Sequence, residues 1–274
     1  MQCPRCEFDT SKLDIYQILE LPESHPERKL WQQNPEHRKT LEFYGWFTEP
    51  FENARLLVFG SGPASLAVPL SRLTNVSQVI CFDRDEEARR SLEDIKVSEG
   101  LGKIQITGEG YPWKIPFEDD SFDVIICRYS MHHFEDQQGV IREIYRCLTW
   151  DGVLLYSDHS MPEQTRDTTE DFMANKEGTF KGYRTYHEMT ELLTRNAFEI
   201  LAIRPYEYRR GIFEDYVSIA DPGLKEPLLR GGLGLDAMTK QQIKWSGDCD
   251  GPLVSYPIFD IAARRADEAT ALCI

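Results

Sequence analysis

The chain has 274 residues, of which 41% are hydrophobic and 28% charged, and its 46 acidic and 31 basic residues give a formal net charge of −15. This length and composition predict a compact globular protein and exclude wholesale disorder. Because no Lys/Arg cluster is long enough to follow a phosphate backbone, we expect no nucleic-acid partner. No apolar run approaches the length of a membrane span, so we also expect no membrane partner.

The N-terminal residues and the cysteines bear on the compartment and on metal binding. Polar residues such as Gln2, Arg5 and Glu7 stand where a secretory signal needs an apolar core, so we expect a cytoplasmic protein. Cys3 and Cys6 could supply two thiolates to a zinc ion, but no second pair with ligand spacing accompanies them. We therefore predict no metal site.

Residues 1–54 come before the first predicted strand and mix charged residues with scattered aromatic ones. Their spacing predicts short helices that pack onto a core. A lid over a pocket and a plain N-terminal cap are equally good interpretations of this segment.

From Arg55 onward, apolar runs alternate with amphipathic stretches, which predicts an α/β fold with helices on both faces of a mostly parallel sheet. The core domain is predicted to cover residues 55–204, and residues 205–274 to add an insertion and the last strand of the same domain. The predicted strands cover residues 55–59, 78–83, 103–107, 122–128, 153–158, 198–204 and 256–263, and the predicted helices cover residues 64–73, 85–98, 136–148 and 185–196.

The first predicted strand breaks directly into Gly60, Ser61 and Gly62, and a helical pattern follows. Gly60 permits a tight strand-to-helix turn, and Gly62 lets backbone N–H groups approach a ligand at the positive end of the helix. This arrangement is typical of a nucleotide site. Taken alone, it fits an ordinary turn equally well.

Asp83 ends the second predicted strand, about twenty residues after Gly62, the spacing at which an acid binds ribose in nucleotide folds. A carboxylate there can accept hydrogen bonds from both ribose hydroxyls, and we assign Arg84 to the same site. An exposed turn acid is the alternative. NAD and S-adenosylmethionine (SAM) both carry adenosine and both remain open, although Ser65 stands where a dinucleotide fold favours Gly or Ala.

The run from Thr107 to Ile126, followed by Met131-His-His-Phe134, resembles the class I SAM-dependent methyltransferases. The likeness is to the methyltransferase-11 group, which includes the quinone-biosynthesis C-methyltransferases, and it covers roughly residues 54–204. It implies a Rossmann-like seven-stranded sheet with a reversed last strand, and SAM as the cofactor. It also implies that Glu109, with Gly110 beside it, contacts the adenine amino group.

Three positions depart from the family pattern. The family often has an acid where this chain has Val58, a Gly where it has Ala64, and a Pro-Gly-Gly turn where it has Trp150-Asp-Gly152. The missing acid removes the usual contact to the methionine amino group. Backbone carbonyls near Gly60 or Cys127 would have to serve in its place.

His132, His133 and Asp158 are the candidate catalytic residues. The two histidines follow the fourth predicted strand and Asp158 ends the fifth, at the sheet edge where ligands bind in open α/β folds. Methyl transfer needs a base if the acceptor is a hydroxyl, a protonated amine or an acidic carbon, and a histidine with a near-neutral pKa suits that role. Local packing is the alternative for each histidine.

Arg128 also ends the fourth predicted strand, close to the expected methionine end of the cofactor. We assign it to the cofactor site, where it could bind a carboxylate of the cofactor or of the substrate; a structural ion pair is the alternative. Trp113 either covers the adenine ring or packs in the core. An aromatic acceptor pocket could be lined by Tyr183, Tyr186 and Trp245.

Together these patterns predict an enzyme that transfers a methyl group from SAM to a small molecule, acting on an oxygen, a nitrogen or an activated carbon. Two alternatives remain open at this point. One is an NAD-dependent oxidoreductase, and the other is a protein of this fold that binds SAM without methylating. A homodimer is the assembly that we consider.

Overall fold

The computed structural model of the protein describes residues 21–24, 26–33, 35–60, 66–160, 163, 166–167, 170, 180–211, 237–242 and 253–266. The strands are β1 (Ala54–Phe59), β2 (Val76–Phe82), β3 (Ile104–Thr107), β4 (Phe122–Arg128), β5 (Leu148–His159), β6 (Phe198–Gly211) and β7 (Leu253–Arg265). The helices are α1 (Pro26–Gln33), α2 (Pro35–Thr48), α3 (Ala67–Ser71), α4 (Glu86–Glu99), α5 (Gln137–Cys147), α6 (Tyr186–Arg195) and α7 (Ala237–Gln242), and a 3₁₀ turn covers Met131–His133.

The seven strands form one sheet in the order β3-β2-β1-β4-β5-β7-β6. Strands β1 to β5 are parallel, whereas β7 runs antiparallel to both β5 and β6. This arrangement confirms the predicted fold class, including the reversed last strand. The order in which strands are added reverses at β1, because β2 and β3 lie on one side of it and β4 and β5 on the other, and this reversal opens a crevice at the carboxyl edge of the sheet.

Apolar side chains cover both faces of the sheet. Leu56 and Val58 belong to one hydrophobic core, and Leu57 and Phe59 to the other. Helices α1 to α4 contribute to the first core, and α5 and α6 to the second. The continuous apolar run of β1 is therefore that of a strand buried on both faces.

The two N-terminal helices begin at Pro26 and Pro35, where a proline's missing N–H costs no helical hydrogen bond. Trp31 of α1 and Tyr44 and Phe47 of α2 are buried in the first core. Helix α2 contacts β5 and β6. It therefore lies on the half of the sheet that begins beyond β4.

Several strands begin or end at residues other than the predicted ones, because their pairing with neighbouring strands extends further. Strand β5 begins at Leu148 rather than at residue 153, because α5 ends at Cys147 and Leu148 pairs with Phe122. Strand β6 continues to Gly211, since its second half pairs with the first half of β7. Residues 205–211 of the predicted insertion are therefore strand. The predicted capping box at the start of α6 is confirmed at Thr185.

Among the described residues, no helix combines the length and the apolar character needed to cross a membrane. Likewise, no cluster of His, Cys, Asp and Glu side chains in the described parts of the chain is arranged to hold a metal ion. Cys3 and Cys6 lie outside the described residues.

Candidate active site

The strand register places the predicted cofactor residues side by side at the carboxyl edge. Phe59 pairs with Phe82 on one side and Cys127 on the other, and Phe82 pairs with Thr107. Hydrogen bonds continue beyond the strand ends, from the Gly60 N–H to the Phe82 carbonyl (2.9 Å) and from the Asp83 N–H to the Thr107 carbonyl (3.0 Å). One edge thus carries the predicted residues Gly60, Asp83, Arg84, Glu109, Gly110 and Arg128.

Gly60 makes the tight turn that the sequence predicts. Its φ is +69°, and a Cβ at this position would overlap the side chain of Ser130. The Ser130 hydroxyl donates a hydrogen bond to the Phe59 carbonyl at 3.1 Å, which holds the ends of β1 and β4 together. A side chain at residue 60 would separate these ends. The other two turn residues, Ser61 and Gly62, lie outside the described residues.

Asp83 is the first residue after β2 and is half-buried. Its Oδ1 accepts a hydrogen bond from the Asp85 N–H at 2.9 Å, which orients the carboxylate at the start of α4. Glu109 is exposed, and its own N–H donates to the Thr107 hydroxyl at 3.3 Å. Both acids therefore lie in the part of the carboxyl edge that is formed by β1, β2 and β3, together with the Gly60 turn.

Trp113 lies at the exposed rim of this region. Its ring stacks on that of Tyr111, with centroids 5.4 Å apart and planes at 17°. The guanidinium of Arg84 lies 5.1 Å from the Tyr111 ring centroid, which joins the three side chains into one stack. Trp113 is 46% exposed, so the core-packing interpretation is wrong.

Val58, which stands where the family often has an acid, is only 2% exposed. It belongs to the first hydrophobic core and lies between Cys81 of β2 and Ile126 of β4. The side chain at this position therefore contributes packing and no polar contact.

His132 and Asp158 form a buried pair across the ends of β4 and β5. The Nδ1 of His132 lies 2.7 Å from an Asp158 carboxylate oxygen, and the residues are 4% and 3% exposed. Asp158 also accepts hydrogen bonds from the backbone N–H groups of His132 (3.3 Å) and His159 (2.8 Å). A carboxylate held in this way keeps a proton on Nδ1 of the neutral imidazole, whose lone pair is then on Nε2.

His133, the second candidate base, is half-buried and stands beside this pair. Its ring centroid is 4.1 Å from that of His132, and its backbone N–H donates to the Ser130 carbonyl at 3.1 Å. The pairing with Asp158 therefore belongs to His132 and distinguishes the two histidines chemically.

Aromatic rings surround the pair of His132 and Asp158. Tyr183 lies 5.2 Å from the His132 ring and 5.4 Å from the His159 ring, centroid to centroid. The His159 ring in turn stacks on Tyr129 at 5.1 Å with planes at 9°. Tyr183, one of the three residues predicted to line an acceptor pocket, thus lies beside the pair of His132 and Asp158. Tyr186 instead packs on Phe259, and Trp245 lies outside the described residues.

A buried hydrogen-bond network joins α2 to the strands beyond β4. The Tyr44 hydroxyl contacts the Ser157 hydroxyl, which donates to Asp260. Arg204 donates to Asp260 from Nε at 2.9 Å and also from its terminal nitrogen, which in addition bonds the Thr40 hydroxyl at 3.1 Å. We call these residues the α2 cluster: Thr40, Tyr44, Ser157, Arg204, Tyr206 and Asp260.

Tyr206 connects this cluster to the end of β4. Its hydroxyl lies 3.2 Å from that of Thr40 and 3.2 Å from that of Tyr129. Tyr129 has a φ of +50°, a left-handed conformation that costs a non-glycine residue roughly 1–3 kcal/mol and is common at functional sites. The sharp turn directs Tyr129 toward Tyr206 and His159. The sequence patterns do not predict this cluster. Asp260, a carboxylate inside an otherwise apolar strand, is the signal in the sequence that indicates a buried polar contact.

Arg128, at the end of β4, lies between the predicted cofactor residues after β1 to β3 and the α2 cluster. Its guanidinium is 4.5 Å from the Tyr129 ring centroid, and its Nε is buried without a hydrogen-bond partner. No carboxylate of the described residues forms an ion pair with it, so the predicted structural ion pair is not observed in this part of the chain. Burial and the positive charge of Arg128 lower the pKa of His37 on α2 to about 3.

Comparison with known proteins agrees with this geometry. Residues 57–156 match the model of the family described as "Methyltransferase domain". The uncharacterized methyltransferase YcgJ of Bacillus subtilis is 35% identical over 109 residues, which are 40% of this chain and 42% of that protein. The glycine/sarcosine/dimethylglycine N-methyltransferase of Actinopolyspora halophila is 30% identical over 104 residues, 38% of this chain and 18% of that protein. The chain thus spans less than half the length of these curated relatives.

Solved structures share the fold over most of the chain. The crystal structure of YcgJ superposes with a TM-score of 0.74 at 18% identity and covers 84% of this chain and 100% of that one. A protein of Bacillus halodurans C-125 superposes with a TM-score of 0.72 at 19% identity and covers 85% and 100%. The predicted Rossmann-like fold is confirmed.

Proposed function

We propose that the protein transfers a methyl group from SAM to a small-molecule acceptor, a proposal supported by the match of residues 57–156 to the methyltransferase domain model. One observation carries the proposal: the Gly60 turn, Asp83 and Glu109 follow three neighbouring strands in register at the carboxyl edge, inside the matched segment. The same edge continues to His132 and Asp158, where proton transfer can occur.

The residues present fit an adenosyl cofactor. The positive φ of Gly60 brings backbone close to the edge without a side chain, and the half-buried Asp83 carboxylate beside it can accept hydrogen bonds from ribose hydroxyls. The exposed carboxylate of Glu109, beside Gly110, can accept a hydrogen bond from an adenine amino group, and Arg84 lies next to Asp83. Ser61 and Gly62 remain predicted members of the site. When bound, SAM supplies an electrophilic methyl group on a sulfonium sulfur.

The chain itself has to align the acceptor, exclude water and remove a proton where the acceptor carries one. His132 accepts that proton on Nε2, while Asp158 positions the ring and stabilises the imidazolium through Nδ1. Tyr183 and Tyr129 shield this region from solvent with His159. His133 remains the alternative base, whereas the contact with Asp158 is made by His132.

The small size of the acceptor is inferred from two facts. The net charge of −15 disfavours nucleic acid as a substrate. Relatives are named as methyltransferases of glycine, sarcosine and dimethylglycine, or of ubiquinone and menaquinone biosynthesis. A cytoplasmic location and a homodimer remain predictions from the sequence.

A thermal-shift titration with SAM, S-adenosylhomocysteine and NAD tests the cofactor. A ligand at 100 times its dissociation constant stabilises the folded state by about 2.7 kcal/mol, which raises the melting temperature measurably. We expect both sulfur compounds to raise it and NAD to leave it unchanged. Stabilisation by NAD alone would instead support an oxidoreductase.

Methyl transfer is tested by incubating the protein with cell extract and isotopically labelled methyl-SAM, followed by mass spectrometry. We expect the label in one small metabolite. Label that appears only in protein or RNA contradicts the proposed substrate class. Binding of S-adenosylhomocysteine without any labelled product would support a protein that binds the cofactor without methylating.

A further inference from the structure

Among the described residues, the charges next to the α2 cluster do not balance. Asp260 is completely buried and is engaged by Arg204 through two nitrogens and by the Ser157 hydroxyl. Arg128 brings a second guanidinium into this region, and no carboxylate among the described residues pairs with it. A partly buried guanidinium whose charge no carboxylate balances is costly, because buried charges are normally paired.

The other described titratable groups that interact with Arg128 carry no compensating charge. His37 stays neutral above about pH 3, since burial and Arg128 lower its pKa. Burial raises the pKa of the phenols of Tyr44, Tyr129 and Tyr206, which therefore remain protonated hydrogen-bond groups. Arg128, Arg204 and Asp260 leave a net charge of +1, in a protein whose overall charge is −15.

Arg128 ends β4, next to the Gly60 turn of β1 but separated by β1 from the strands that carry Asp83 and Glu109. Asp83 and Glu109 follow β2 and β3, on one side of β1, whereas the phenols and the carboxylate that interact with Arg128 belong to Tyr129 directly after β4 and to α2, β6 and β7. His37 and Tyr44 are buried, but Arg128, Tyr129 and Tyr206 are half-buried. Arg128 therefore lies at the partly exposed rim of the cluster.

We propose that Arg128 binds an anionic oxygen group of the methyl acceptor, a carboxylate or a phosphate ester, with the hydroxyls of Tyr129 and Tyr206 beside it. The inference rests on the proposed methyltransferase function and adds the chemical class of its substrate. A guanidinium flanked by phenol hydroxyls can donate several hydrogen bonds to one such group. Arg128 is then a specificity-determining residue of the acceptor.

The same ring contacts connect this anion site to the proposed base. Arg128 lies over Tyr129, Tyr129 stacks on His159 at 5.1 Å, and the His159 ring is 6.1 Å from that of His132. An acceptor held at Arg128 by its anionic end can direct its opposite end along this edge. A small molecule bound in this way can present its reacting atom to His132 and to the Gly60 turn.

The experiment compares the full-length wild type with Arg128→Gln and Arg128→Lys. Cell extract is separated by anion exchange into an anionic fraction and a neutral and cationic fraction, and each is incubated with labelled methyl-SAM. Phosphatase treatment of a second aliquot distinguishes phosphate esters from carboxylates. Calorimetry measures the affinity for S-adenosylhomocysteine and for 5′-methylthioadenosine, which lacks the amino-acid carboxylate.

We expect the wild type to label a metabolite of the anionic fraction, and Arg128→Gln to raise the KM for that metabolite at least 10-fold while binding S-adenosylhomocysteine normally. Arg128→Lys, which keeps the charge, should retain an intermediate KM. Thermal unfolding of each variant verifies that it is folded.

Two results would overturn the inference. One is a labelled product from the neutral and cationic fraction with an unchanged KM in Arg128→Gln. The other is a variant that loses affinity for S-adenosylhomocysteine but keeps it for 5′-methylthioadenosine, which would assign Arg128 to the cofactor carboxylate as the sequence predicts. Failure of the methyltransferase proposal is distinct, because the wild type would then label no metabolite in either fraction, whether or not it binds S-adenosylhomocysteine.

Discussion

The carboxyl edge of the sheet has two halves, which differ in the types of residue that form them. The half formed by β1, β2 and β3 uses a glycine turn and half-buried or exposed acids, each within a few residues of a strand end. The half beyond β4 uses buried charges, phenols and stacked rings from elements that are far apart in sequence. Substitutions in the first half should therefore act on ligand affinity, whereas those in the second should affect stability as well as activity.

The largest effect is expected for His132→Gln, which removes the proposed base but leaves the first half untouched. General-base catalysis contributes about 10²–10⁴-fold, so kcat should fall by that factor while the affinity for S-adenosylhomocysteine stays constant. Steady-state kinetics and calorimetry measure the two quantities. His187→Gln is the matched control, because His187 is an exposed histidine on α6 and should behave as wild type.

Asp158 acts through His132 and is a positioning residue. Asp158→Asn should lower kcat and also change the pH dependence of kcat, because the imidazole loses the carboxylate that orients it and stabilises its charged form. A pH profile identical to that of the wild type would show that Asp158 does not influence the base.

Asp260→Asn should cause the largest loss of stability. Breaking a buried ion pair leaves Arg204 without its partner and costs about 3–5 kcal/mol in the free energy of unfolding. Urea denaturation measures this loss. Glu199→Gln breaks an exposed ion pair with Arg264 on the same two strands and should cost less than about 1 kcal/mol, so equal losses would refute the distinction between the pairs.

Asp83→Asn tests the first half alone. Hydrogen bonds to a charged group contribute about 1.5–3 kcal/mol, so the affinity for S-adenosylhomocysteine should fall about 10- to 100-fold with little change in stability. Asp85→Asn is the control, since Asp85 caps α4 and asparagine is an equally good cap. If both variants bind equally well, Asp83 does not hold the ribose.

His37 makes the stability of the half beyond β4 depend on pH. The pKa of His37 is about 3 when folded and 6.5 when unfolded, so the unfolded chain binds the proton first as the pH falls. Its contribution to stability is complete above pH 6.5 and is lost toward pH 3, by up to about 1.4 kcal/mol per pH unit. Urea denaturation should show a shallower acid slope in His37→Gln than in the wild type, and equal slopes would contradict the assigned cause.

The two halves also differ in what the sequence can predict. Gly60, Asp83 and Glu109 each stand directly after or near an apolar strand, so their meeting follows from strand order alone. The α2 cluster depends on side chains from residues 40 to 260, whose proximity is set by the packing of α2 and by the insertion of β7 between β5 and β6. No local pattern contains that information. The pairing of His132 with Asp158 is intermediate, because both candidates are predicted but their contact is not.

A crystal structure of the complex with S-adenosylhomocysteine tests the separation of the two halves most directly. The account predicts ribose hydroxyls on Asp83, the sulfur between the ends of β1 and β4, and an Arg128 guanidinium that does not touch the cofactor. A cofactor carboxylate bound to Arg128, or an adenosyl group away from Asp83, would contradict it.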